Sequence, residues 1–169
     1  MKQRVDLSTF SFITTIICIA VFIICFFIND PPFNVKLILA AMLVLILIAG
    51  LFYMPLSIAA DKYAIYVKRS LKIKTIPMKE VKSVRLCPPT MGAIRVCGSG
   101  GFMGYWGWFR ERDLGRYFAY YGRSSDCFLV ELKDGHKYVL GCRNPQQMVD
   151  YINSNLSKKG ISNFIDKRI

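Results

Sequence analysis

The sequence is short of several things that catalysis and metal binding commonly need. It holds one histidine, His136, in 169 residues, and its six cysteines form no Cys-x-x-Cys pair. A zinc site would have to gather four widely scattered ligands, so no metal is expected. Any nucleophile–imidazole pair has one ring to draw on, and that ring adjoins Asp134-Gly135, where an exposed strand residue is a simpler reading than a general base. Lysine is missing from Ser83 through Leu132, which removes the Gly-Lys-Ser/Thr that a phosphate loop requires. Glu111 and Asp113 stand among Arg110, Arg112 and Arg116, and read as a charge-paired surface loop rather than as paired catalytic carboxylates. No catalytic residue and no cofactor is expected.

Charge is also missing from one long run. Phe10 to Ile28, FSFITTIICIAVFIICFFI, carries no charged side chain, and at about 1.5 Å per residue it can cross a hydrocarbon core about 30 Å thick. Asn29-Asp30-Pro31-Pro32 stops that helix. A second span runs from Val35 to Tyr53, with Lys36 close enough to its start to snorkel. The first run is longer than a signal-peptide core and ends in bulky Phe26-Phe27-Ile28, so it is read as retained. Three bases and two acids occupy residues 1–60, whereas residues 61–169 hold 20 Lys and Arg against nine Asp and Glu. The positive-inside rule then places both termini in the cytoplasm of a multi-pass inner-membrane protein. Cys87, Cys97, Cys127 and Cys142 fall in a reducing compartment, as small buried side chains rather than disulfides.

Beyond Met54-Pro55 the continuous apolar pattern gives way to short alternating runs. LSIAA (Leu56 to Ala60), YAIYVKR, LKIKTI, EVKSVRL, GRYFAYYG, CFLVELK and HKYVLGC (His136 to Cys142) make about seven strands. Lys133-Asp134-Gly135-His136 predicts a two-residue type I′ hairpin. Asn144, Pro145 and Gln147 form an N-cap, first-turn proline and capping-box residue, followed by an apolar stripe of Met148, Val149, Ile152 and Leu156. Ser157-Lys158-Lys159-Gly160 is expected to end that helix.

The order Ile76-Pro77 with Val81 and Val84, a glycine-rich segment, Leu114-Gly115 with Tyr117 and Tyr120, Leu132-Lys133-Asp134-Gly135, then Asn144-Pro145 resembles the bacterial PH-like (pleckstrin-homology-like) domain proteins that carry a membrane hairpin in front. The resemblance covers Pro55 to Leu156. It implies a partly open, strongly bent β-barrel capped by a C-terminal helix, with no inherited catalytic residue. The expected organisation is a transmembrane helical hairpin over residues 1–54, with spans about 10–28 and 35–53. An all-β PH-like barrel follows over 55–157, with a tail over 158–169.

The glycine-rich segment, CGSGGFMGYWGWFRERDLG from Cys97 to Gly115, is not a nucleotide loop. Gly98-Ser99-Gly100 begins a dinucleotide fingerprint, but Met103 stands where the third glycine belongs and aromatic residues replace the helix. Two readings remain open. Trp106, Trp108 and Phe109 fill the open end of a barrel, or Phe102, Met103, Trp106 and Trp108 meet the inner leaflet while Arg110, Arg112, Arg116 and Arg123 meet anionic head groups. The function expected is a non-enzymatic binding or scaffolding module at the cytoplasmic face of the membrane. The alternative is a protein-interaction module that docks a membrane partner through the aromatic loop or a strand edge. No nucleic-acid partner is expected, because the aromatics match no RNA-binding motif.

Overall fold

The computed structural model describes residues 1–27, 31–90 and 92–166, with side chains through Ser157. Ile28, Asn29 and Asp30, which belong to the first span and the reversal after it, lie outside the described residues. Two helices long and apolar enough to cross a membrane open the structure: α1 (Thr9–Phe27) and α2 (Phe33–Tyr53). Ser8 starts α1 as an N-cap, its Oγ accepting from the Ser11 N–H at 3.1 Å. Pro32 precedes α2, and its carbonyl accepts from the N–H groups of Val35 and Lys36. Pro55 begins the first strand beyond α2.

Among the described residues there are ten strands where the alternation predicts about seven. A short N-terminal strand, β1 (Lys2–Arg4), pairs antiparallel with β2 (Pro55–Ala60), and β3 (Ala64–Arg69) and β4 (Ile73–Pro77) complete a four-stranded sheet. The second sheet has six strands: β5 (Val81–Leu86), β6 (Ile94–Gly101), β7 (Gly104–Glu111), β8 (Gly115–Tyr121), β9 (Cys127–Leu132) and β10 (Lys137–Gly141), in the spatial order β5-β9-β10-β8-β7-β6. β10 lies between β9, its antiparallel hairpin partner, and β8, which it pairs in parallel. The sheets stay separate and do not close into one barrel, while the PH-like layout of sheets and C-terminal helix stands.

The main core lies between the sheets. Ile58, Ile65 and Val67 meet Phe128, Val130 and Leu140, and α3 (Pro145–Asp166) closes the space with Met148, Val149 and Ile152. That is the predicted apolar stripe, and each such side chain contributes on the order of 1.5–3 kcal/mol by leaving water. Helix α3 continues past Gly160 to Asp166, because a glycine inside a helix costs only about 1 kcal/mol and does not by itself stop it. The Asn144 N–H, predicted to be capped by Gln147, is instead taken by Gln3 Oε1 at 2.7 Å.

The Asp134-Gly135 turn also differs from the two-residue form. Leu132 and His136 form the closing pair, Gly135 donates to the Leu132 carbonyl at 3.1 Å, and Gly135 has φ +85°. This is the three-residue loop with a left-handed glycine, in which Asp134 keeps a negative φ.

β5 and β6 occupy opposite edges of the second sheet although they are consecutive in sequence. The segment between them runs from β9, where the Cys87 N–H donates to the Cys127 carbonyl at 3.2 Å, to β7, where the Thr90 N–H donates to Glu111, and then turns, the Ala93 N–H donating to the Thr90 carbonyl. It covers a second apolar cluster on the outer face, built from Tyr117, Leu129 and Val139 with Cys87 packed against it.

Candidate membrane interface

Most of the glycine-rich segment is a hairpin of β6 and β7. Glycine is depleted in strands, and here it is required. Gly98 and Gly107 face each other across the hairpin with φ of +126° and +117°. A Cβ on Gly107 would stand 2.7 Å from the Gly98 Cα and overlap the Cys97 carbonyl oxygen. The two backbones approach where side chains cannot.

That approach carries the hairpin tip to the membrane-length helices. The Met103 N–H donates to Thr15 Oγ1 on α1 at 2.9 Å, with Met103 itself at φ +52°. Its thioether fills the space beside Gly50 of α2, 2.5 Å from where a Cβ would stand, and the Phe102 ring lies next to it. Phe102 and Met103 are thus half-buried contacts to α1 and α2.

The tryptophans take two environments. Trp106 stacks on Tyr53, the last residue of α2, with ring centroids 5.1 Å apart, and its Nε1 donates to the Phe102 carbonyl. It packs at the margin of the main core. Trp108 is half-buried, edge-on to Phe118, under the Arg116 guanidinium at 4.4 Å. Next to Trp106, Arg69 lies against the rings of Phe52, Tyr53 and Tyr120 at 5.4–5.7 Å and donates to the Tyr120 hydroxyl at 3.3 Å. Burial pushes the Tyr120 hydroxyl up to about 12 against the pull of that guanidinium. The sequence reading missed Arg69; its signal is a basic residue at a strand end after a span that ends Phe-Tyr.

All four arginines are exposed, and they divide into two places. Ile94, Arg110 and Arg116 form one row across β6, β7 and β8, with Arg112 in the adjoining turn. Arg123 is at the opposite end of β8, roughly 20 Å away along a seven-residue strand. It follows Gly122, whose carbonyl accepts from Ser8 at the start of α1, and pairs loosely with Asp126 at 3.9 Å. Ile94 and Val96 beside the row are 68% and 54% exposed.

Glu111 corrects the expected surface loop. It is 4% exposed and accepts from the Thr90 N–H at 2.8 Å and from the Thr90 hydroxyl. Alternation along β7 turns it to the outer face, where the crossing segment covers it, while Asp113 in the turn stays exposed. His136 is exposed and meets Asp134 at 4.0 Å, and Cys142 is buried. Among the described residues no three His, Cys, Asp or Glu side chains gather as a metal site would need.

Neither the curated proteins nor the solved structures gave a match. Residues 56–156 match the bacterial PH domain family, and that range runs from the start of β2 to the last turn of α3 that packs on the core. The two sheets, the covering helix and the match over more than half of the sequence agree: the chain belongs to the bacterial PH domain family.

Proposed function

We propose that the chain is a non-enzymatic module held at the cytoplasmic face of the inner membrane by α1 and α2, with the far rim of β6, β7 and β8 meeting anionic head groups. The observation that carries this reading is the row of exposed Ile94, Arg110 and Arg116, with Val96 and Arg112 beside it, on a sheet whose edge strand runs along α1. Apolar side chains next to cations suit an interface where hydrocarbon and phosphate adjoin, each Lys or Arg there being worth about 1 kcal/mol. Phe102, Met103 and Trp106 then serve the contact between domain and anchor, and Trp108 supports Arg116. The pairing of β1 with β2 favours both termini on one side, since the residues before α1 and after α2 share a sheet.

Hydrogen exchange of the full chain in vesicles tests the lipid contact. Residues 110–116 are expected to exchange more slowly in vesicles containing phosphatidylglycerol than in pure phosphatidylcholine, and high salt should remove the difference. Equal exchange in both would refute the contact.

One observation supports a protein partner at another place. β4 is a sheet edge, and Leu71 and Ile73 near it are 66% and 52% exposed. An edge of that kind can accept an added strand. Ile73→Lys would then abolish capture of a membrane protein partner and leave the exchange of residues 110–116 unchanged.

A further inference from the structure

α1 and α2 do not close fully against each other. Near the domain they leave a groove of about 300 Å³ between Cys18 and Phe22 of α1, Ile46 and Ala49 of α2, and Arg95 and Trp106 of the hairpin. Farther along the seam a second hollow of about 280 Å³ lies between Phe22, Phe26, Leu39 and Leu43. Phe22 lines both, so the two adjoin along the seam as a furrow lined mostly by apolar side chains. From Ala49 to Leu39 it is about 15 Å long at 1.5 Å rise per residue.

The furrow has one charged side chain in its lining, Arg95. Its guanidinium folds back along β6, with Nη1 3.2 Å from the Cβ position of Gly100. Among the described residues neither hollow has a carboxylate in its lining and Arg95 forms no ion pair. Arg95 is exposed, and a cation beside membrane-length helices with no carboxylate in the described lining can be met by an anionic head group.

We propose that the furrow holds one anionic phospholipid, with an acyl chain along the seam of α1 and α2 and the phosphate on the Arg95 guanidinium. The site rests on the membrane-anchored reading above, and it is separate from the Arg110–Arg116 rim. Phosphatidylcholine carries the same phosphate, so the preference comes from its choline cation, which cancels the charge; one guanidinium near the surface then favours the net-anionic lipid roughly fivefold.

Trp106 lines the furrow and reports on its occupant. The full chain carrying Trp108→Phe, which leaves Trp106 as its single tryptophan, is reconstituted in phosphatidylcholine vesicles containing phosphatidylglycerol. Bromine is placed on the acyl chains of either lipid at the same mole fraction. Brominated phosphatidylglycerol is expected to quench Trp106 several times more strongly than brominated phosphatidylcholine. Arg95→Gln should bring the two to equality, and Ala49→Leu, which fills the groove, should weaken quenching by both. Arg110→Gln with Arg116→Gln should leave the preference intact, which separates this site from the rim. Equal quenching with Arg95 present, or a preference that survives Arg95→Gln, overturns the proposal. The comparison with Arg95 in place is decisive even where Arg95→Gln does not fold.

Discussion

Gly107→Ala tests the close approach of β6 and β7 directly. The new Cβ would overlap the Cys97 carbonyl oxygen and stand 2.7 Å from the Gly98 Cα, and both obstacles are backbone. No side chain can swing aside, so β6 must move off β7. Overpacking of this kind costs about 1–3 kcal/mol, and holding alanine at φ +117° adds about 1–3 kcal/mol. The sum is about 2–6 kcal/mol, centred near 4, out of a typical total of about 5–15 kcal/mol. Gly115→Ala is the matched control, since Gly115 also has positive φ, +71°, but nothing lies within 4 Å of its Cβ position. Left-handed strain alone should cost that variant about 1–2 kcal/mol. Thermal unfolding of the full chain in detergent, followed by near-ultraviolet circular dichroism, should put Gly107→Ala about 10 °C or more below Gly115→Ala. Midpoints within a few degrees of each other would refute the reasoning, because the backbone contact would then cost nothing.

Glu111→Ala removes the acceptor of the Thr90 N–H and hydroxyl, and should destabilise the domain by about 1–3 kcal/mol while speeding amide exchange at Thr90 more than at Val130. Asp61 accepts from the N–H groups of Ala64 and Tyr63 and from the Tyr66 hydroxyl, which hold its carboxyl below the usual range. A folded value below the unfolded ~3.9 means that its stabilisation is present above about pH 4 and is lost as pH falls through the folded value. The denaturant midpoints of Asp61→Ala and the parent chain should therefore converge on acidification below pH ~4. Of the four cysteines outside the helices, exposed Cys97 should react first with a maleimide. Cys127 and Cys142 should label only on unfolding, since both are buried and burial pushes the Cys142 thiol up to about 12 and Cys127 higher.

The legible parts of the fold were those whose residues carry a period. Long apolar runs gave α1 and α2, alternation gave β2 to β5 and β8 to β10, and the Met148–Ile152 stripe gave the face of α3 that meets the core. The hairpin of β6 and β7 was hidden because glycine at Gly98, Gly100, Gly101, Gly104 and Gly107 reads locally as loop, and its use as strand depends on a facing backbone that no local pattern contains. β1 was hidden for another reason: three residues, Lys2-Gln3-Arg4, are too few for a period, and their partner is more than fifty positions away. Of the candidate contact residues, sequence reasoning identified the arginines but not their division. Only the register of β6 with β7 and of β7 with β8 puts Ile94, Arg110 and Arg116 in one row, and leaves Arg123 beside Ser8.

The same register bears on how the domain and the two N-terminal helices relate. If the helices merely tethered a soluble domain, a linker would separate them, yet α2 ends at Tyr53 and β2 begins at Pro55. The chain before α1 enters the domain as well: β1 pairs with β2, Arg143 donates through its N–H to the Arg4 carbonyl at 3.0 Å and through Nε to Asp6 at 2.9 Å, and Gln3 caps Asn144. The hairpin tip then touches Thr15 and Gly50, one on each helix. Three sets of contacts thus bind the two helices to both sheets and to the start of α3. A change in the separation of α1 and α2 must be met by movement of the Gly101–Gly104 tip, and that tip is continuous with the two strands that carry Arg95, Trp106 and Arg110. The two helices are therefore a structural part of the domain, and whatever alters their packing against each other is felt along β6 and β7.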